Sequence, residues 1–134
     1  MQRERGLIAI EWVAAITLLL LPAVVLVGTM PTWAERRHAA TVAAREAARE
    51  MEQHWPTIDA ARAELIARYV TLDHGLPKSD VVVRVRNVSP QPGDQLQVEV
   101  EVRMPALSLP GVSRVAGWTY TAVASVRIDD YRSR

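Results

Sequence analysis

The chain is expected to fold as an α+β protein: an N-terminal transmembrane helix extended by a soluble helix, then a second helix packed on a three-stranded antiparallel sheet. Three observations carry this expectation. Residues 7–30 are almost wholly apolar, residues 33–73 repeat at helical spacing, and three later stretches alternate apolar and polar residues with a period of two.

Composition narrows the function classes. With 134 residues the chain holds one small domain and an appendage. Lys+Arg total 16 and Asp+Glu 15, a net charge of +1. A nucleic-acid binder usually carries a marked basic excess, so nucleic acid is not an expected partner. Cysteine is absent, which excludes disulfide frameworks, Cys-zinc sites and thiol nucleophiles.

The apolar stretch runs from Leu7 to Met30, 24 residues whose single charge is Glu11. As a helix it is about 36 Å long, enough to cross a bilayer with some tilt. A secretory signal's apolar core is only about 7–15 residues, so an anchor is expected rather than a cleaved signal. Pro22 should kink this helix, and Gly28 and Pro31 should loosen its exit.

Glu11 is the exception in the run. A carboxylate inside an apolar segment costs about 2–3 kcal/mol or more unless paired, protonated or near the surface. No Lys, Arg or His follows it before Met30, so a cation must come from elsewhere. Cleavage after Gly6 would supply one: Leu7 would gain a free α-amino group, and Glu11 would become residue five of the new chain. Residues one and five of a helix lie one turn apart on the same face. The new amine, or that of a neighbouring subunit, would then neutralise the carboxylate.

The segment Arg5-Gly6-Leu7-Ile8-Ala9-Ile10-Glu11-Trp12 resembles the class IV prepilin signal: a charged leader ending in Gly, four apolar residues, then Glu. With an aromatic residue after the Glu it is similar to the tight-adherence (Tad/Flp, type IVb) pilus branch. The whole layout resembles its TadE-like minor pilins and pseudopilins. Trp12 stands where Phe or Tyr is usual, and Pro22 lies later than the proline often found after the Glu.

The resemblance implies a leader of residues 1–6, removed by a prepilin peptidase between Gly6 and Leu7. It also implies that Glu11, with Trp12, serves subunit assembly. Its implied partners are the membrane, the prepilin peptidase, other pilin or pseudopilin subunits and pilus assembly proteins. Its implied location is the cytoplasmic membrane, with the N-terminus inside and the domain outside. Charge alone points the other way: Arg36, Arg37, Arg45 and Arg49 outnumber Arg3 and Arg5, which by the positive-inside rule favours a cytoplasmic domain. Arg36 and Arg37 are either lipid-headgroup ligands or a solvated helix start. The rival to the pilin reading is an uncleaved anchor displaying a small interaction domain.

Beyond the span, Thr32 is expected to cap a helix with Glu35 in its first turn. Ala40, Ala44, Ala47 and Met51, with Ala39 and Ala43 beside them, share one helical face. They read either as good helix formers or as a packing surface for another subunit. Trp55-Pro56 should interrupt this helix. A second helix is expected over 57–73, its apolar stripe made by Ile58, Ala61, Leu65, Tyr69 and Leu72, widened by Ile66 and Val70. His74-Gly75 should stop it, with Gly75 left-handed.

Three strands follow. Val81-Val83-Val85, then the even-numbered row Leu96 to Met104, then Trp118 to Ile128 alternate with polar residues. Residues 89–94 form a turn and residues 105–116 a longer loop containing Pro110-Gly111. Pairing the first two strands in a hairpin sets valines against valines and Arg84 and Arg86 opposite Gln97, Glu99 or Glu101. The 75–134 region is expected to pack its apolar face on the 57–73 helix, giving two layers.

No catalytic constellation is found. There is no Gly-rich phosphate loop, nucleophile elbow or HExxH motif. His38, His54 and His74 lack the spacing of metal ligands. Asp129-Asp130 reads as a solvated charge pair. Trp33 fits an interfacial belt position, and Trp118 a core anchor. Neither cofactor nor metal is expected, and the chain is read as a structural assembly protein, not an enzyme.

Overall fold

The computed structural model describes residues 2–54, 57, 59–86, 93–106 and 117–128, with side chains from Ile10 onward. It holds helix α1 (Gln2–Gln53), helix α2 (Ala60–Asp73), a single 3-10 turn (Lys78–Asp80), and strands β1 (Val81–Arg86), β2 (Gln95–Arg103) and β3 (Thr119–Arg127). The strands form one antiparallel sheet in the order β1-β2-β3. The α+β architecture read from the sequence is the one observed. Trp55, Pro56, Ile58, turn residues 89–92, Pro110-Gly111 and Asp129-Asp130 lie outside the described residues.

The first departure is in α1. It runs unbroken for 52 residues with Pro22 and Pro31 inside it. Thr32 therefore caps nothing, and the apolar segment and the segment packed on the sheet are one continuous helix, about 78 Å along its path at 1.5 Å per residue. Each proline removes one backbone hydrogen bond, a loss that spanning helices tolerate. The docked segment beyond Pro31 holds the helix in place. Inside the apolar run the Thr17 hydroxyl donates to the Val13 carbonyl at 2.7 Å, and the Thr29 hydroxyl to that of Leu26 at 2.9 Å. Both polar groups are thus satisfied within the helix, as a lipid environment requires.

The second departure concerns what covers the sheet. α1 lies against β2 and β3, and α2 lies against α1 and β1. The alanine face is the reason. Ala39, Ala40, Ala43, Ala44, Ala47, Ala48 and Met51 are all buried within the chain, so this stripe packs internally and is not a free surface for another subunit. Opposite it stands the β2 row of Leu96, Val98, Val100 and Val102, each fully buried. Small residues on the helix let it approach; branched residues on the strand fill the gap.

The third departure is the rotation of α2. Its buried residues are Ala63, Ala67 and Thr71, with Val70 packed alongside. Most of the expected stripe faces outward, Leu65 68% and Tyr69 73% exposed, while Ile66 is half-buried and Val70 is the member that joins the core. A helix pressed on both α1 and β1 presents its smallest residues there, because bulky ones would hold the backbones apart. The helix begins at Ala60, three residues later than expected, because Asp59 caps it by accepting from the Ala61 amide at 2.9 Å.

The end of α2 is as read from the sequence. Gly75 has φ +74°, its amide donates to Leu72, and the Leu76 amide donates to Thr71 at 3.0 Å. This pair of bonds is the Schellman arrangement, and Leu76 is buried beneath it.

The hairpin register also holds: Val81, Val83 and Val85 pair with Val102, Val100 and Val98, while Arg84 and Arg86 oppose Glu99 and Gln97. Their ion pairs are diagonal, Arg84 to Glu101 at 3.0 Å and Arg86 to Glu99 at 2.7 Å. On β3 the row Tyr120, Ala122, Ala124 and Val126 joins the core, as its period of two requires.

Candidate functional site

The four residues singled out from the sequence all lie on α1. Gly6 and Leu7 are within its helical backbone, and Glu11 and Trp12 are one turn further on. Glu11 and Trp12 are exposed, Trp12 at 66%. Among the described residues Glu11 makes no ion pair. The residues after it are equally bare: none of the apolar window is buried against the rest of the chain. Among the described residues one helix is long and apolar enough to cross a membrane, and it is this one. A helix whose whole circumference is apolar and uncovered needs a non-aqueous surrounding.

A second cluster gathers where α1 leaves the apolar run and meets the near end of the sheet. Arg36 Nη1 lies 3.0 Å from Asp80 Oδ2 and 2.6 Å from the Arg103 carbonyl oxygen. Helix, hairpin start and strand end are tied together there by one guanidinium nitrogen. Next to it Arg37 sits over the Tyr120 ring, 5.0 Å from its centroid. Trp33 meets Trp118 edge-on with centroids 6.1 Å apart. The Trp33 Nε1 donor is buried with no partner among the described residues. Trp118 is 45% exposed, so it is not the core anchor expected but one side of an aromatic pair at the domain's base.

Arg36, Asp80, Arg103, Met104, Pro105, Ala106 and Gly117 line an open cleft of ≈ 360 Å³. Two segments approach closely at Gly117: a Cβ there would meet the Met104 carbonyl oxygen at 3.0 Å. The Met104 amide donates to the Trp118 carbonyl at 2.7 Å, closing the β2–β3 ladder beside it.

The sequence reading had Arg36 and Arg37 but not their partners. Asp80 and Arg103 carried a usable signal. Asp80 and Arg103 each lie one residue beyond the pair Val81↔Val102, so the hairpin brings them to the same end of the sheet. Where α1 crosses that hairpin had no such signal. The same holds for His38 and His74, whose rings meet edge-on with centroids 6.0 Å apart. Two imidazoles fall short of a metal site, and among the described residues no three His, Cys, Asp or Glu gather.

No protein-family model, curated protein or solved structure matches this chain.

Proposed function

We propose that this chain is a single-span membrane protein of the TadE-like minor pilin or pseudopilin kind, a structural part of a Tad-type pilus or related secretion machine. In this reading a prepilin peptidase cuts between Gly6 and Leu7. The helix then stays in the cytoplasmic membrane with its new N-terminus inside and the α+β domain outside, and it packs against neighbouring subunits. Glu11 accepts the charge of an N-terminal amine, its own or a neighbour's, and Trp12 packs beside it.

The observation that carries the reading is Glu11 itself. It is exposed and without an ion pair among the described residues, in a bare apolar helix. It lies four residues, one helical turn, from Leu7. A lone carboxylate in that setting is costly, and a partner helix bringing an ammonium group removes the cost. The internal use of the alanine stripe supports the same division of labour: that face of α1 is taken up inside the chain, which leaves the apolar half of α1 as a surface for other subunits.

The test is co-expression of the full chain with a prepilin peptidase and measurement of its intact mass. The expected result is loss of residues 1–6 from the wild type and none from Gly6→Ala. A wild type that keeps its full mass overturns the reading in favour of an uncleaved anchor.

A further inference from the structure

We propose that the cleft between Arg36 and Arg103 binds the phosphodiester headgroup of an anionic membrane lipid, docking the base of the domain on the bilayer surface. The inference rests on α1 spanning a membrane and on no other part of the pilin reading.

The unbroken helix fixes the height of the cleft. At about 1.5 Å per residue Trp33 lies about 4.5 Å beyond Met30, and Arg36 about 9 Å. The headgroup layer on each side of a bilayer is about 5–7 Å thick. Trp33 therefore falls within it, and Arg36 starts about 2 Å beyond it, a gap that its long side chain can span back toward the headgroups. Since Arg36 is bonded to the Arg103 carbonyl, and Trp33 touches Trp118, the near end of the sheet is held at the same level. An aromatic pair at that depth is the usual occupant of a membrane interface.

The charges at this level suit a phosphodiester. Arg36 uses Nη1 for both its protein contacts, leaving Nη2 and Nε as free donors. The Arg103 side chain is exposed and has no partner among the described residues; only its backbone oxygen is engaged. Arg37 has an aromatic ring beneath it rather than a carboxylate, and exposed Lys78 lies two residues from Asp80. Asp80, the carboxylate among the cleft's described lining residues, is already held by Arg36. Arg36 and Arg103 against that one carboxylate leave the cleft positive. The remaining cleft wall, Met104, Pro105, Ala106 and Gly117, is uncharged and suits the glycerol part of a lipid.

The experiment uses the full chain released from detergent micelles that carry equal amounts of dioleoylphosphatidylglycerol and dioleoylphosphatidylcholine, with retained lipid read by native mass spectrometry. Wild type should keep phosphatidylglycerol in preference to phosphatidylcholine. Arg103→Gln should lower that preference about fivefold, the weight of one surface cation near anionic lipid. This variant keeps the backbone oxygen that Arg36 needs, so the fold is retained; Arg36→Gln should lower the preference at least as much. Millimolar inorganic phosphate should leave the retained lipid in place. Equal retention of the two lipids, an unchanged preference in Arg103→Gln, or displacement by free phosphate overturns the proposal. Flotation of the same chain with vesicles of either lipid separates the causes. A chain that floats but shows no preference sinks only the headgroup site, whereas one that does not float sinks the membrane span as well.

Discussion

Arg36 and Asp80, 44 positions apart, are joined through a single guanidinium nitrogen, Nη1, which also holds the Arg103 carbonyl. Both side chains are only 21% exposed, so the pair is shielded enough to be worth more than a surface salt bridge. It fixes the junction between rod and domain: without it the sheet's near end would touch α1 only through apolar contacts and rings.

Arg36→Met should therefore destabilise the domain more than Asp80→Asn, since it also strands the Arg103 carbonyl. The expected losses are about 1–3 kcal/mol and about 1 kcal/mol. The double variant should fall short of the sum by about 1 kcal/mol. Urea unfolding of the four proteins in detergent, followed by near-ultraviolet circular dichroism, reads the cycle.

The two helical faces make opposite predictions. Ala44→Leu inserts three carbons between α1 and the sheet and should cost about 1–3 kcal/mol or more. Leu65→Gln, on the outward face of α2, should change stability by no more than about 0.5 kcal/mol. Thermal unfolding of the two variants side by side checks the pair; the opposite order would place the apolar stripe of 61–72 in the core.

Gly117→Ala places a methyl carbon 3.0 Å from the Met104 carbonyl oxygen, a backbone atom that cannot swing away. A loss of about 1–3 kcal/mol is expected, the usual cost of overpacking. Faster hydrogen exchange at the Met104 amide, which donates to Trp118, would localise the damage.

These variants probe what the sequence did and did not make legible. Strand pairing was readable because a period of two allows one sensible register, and the Arg84 and Arg86 charges agree with it. The left-handed stop at Gly75 was readable because glycine takes that conformation without strain. The covering helix was not. Alanine is both a good helix former and a spacer for close packing, and composition cannot separate the two roles. The stripe of Leu65, Tyr69 and Leu72 reads as buried on hydrophobicity alone, whereas close packing selects by volume. The crowded corner between α1 and β1 selected Ala63 and Ala67 instead. The helix start expected at Thr32 does not occur, because Pro31 costs a spanning helix a single hydrogen bond and does not end it. Of the candidate site, Gly6, Leu7, Glu11 and Trp12 were visible as a local string, whereas the Arg36–Asp80–Arg103 corner depends on where the helix crosses the hairpin.

Glu11→Ala and Glu11→Gln should both be cut by the peptidase, since the scissile bond lies four residues away. Both should lose co-purification with partner subunits, because neither offers a negative charge to an ammonium group. Recovery of assembly in Glu11→Asp, at least in part, would tie the effect to charge. Quantitative pull-down from membranes in mild detergent measures it. Full assembly of Glu11→Gln would remove the carboxylate from the assembly mechanism.

The pilin reading of the apolar helix turns on the identity of the first residue of the working protein. N-terminal peptide mass spectrometry of the chain isolated from its native membrane reads that residue without any variant. The prediction is a free α-amino group on Leu7; a mature chain that still carries residues 1–6 would contradict it.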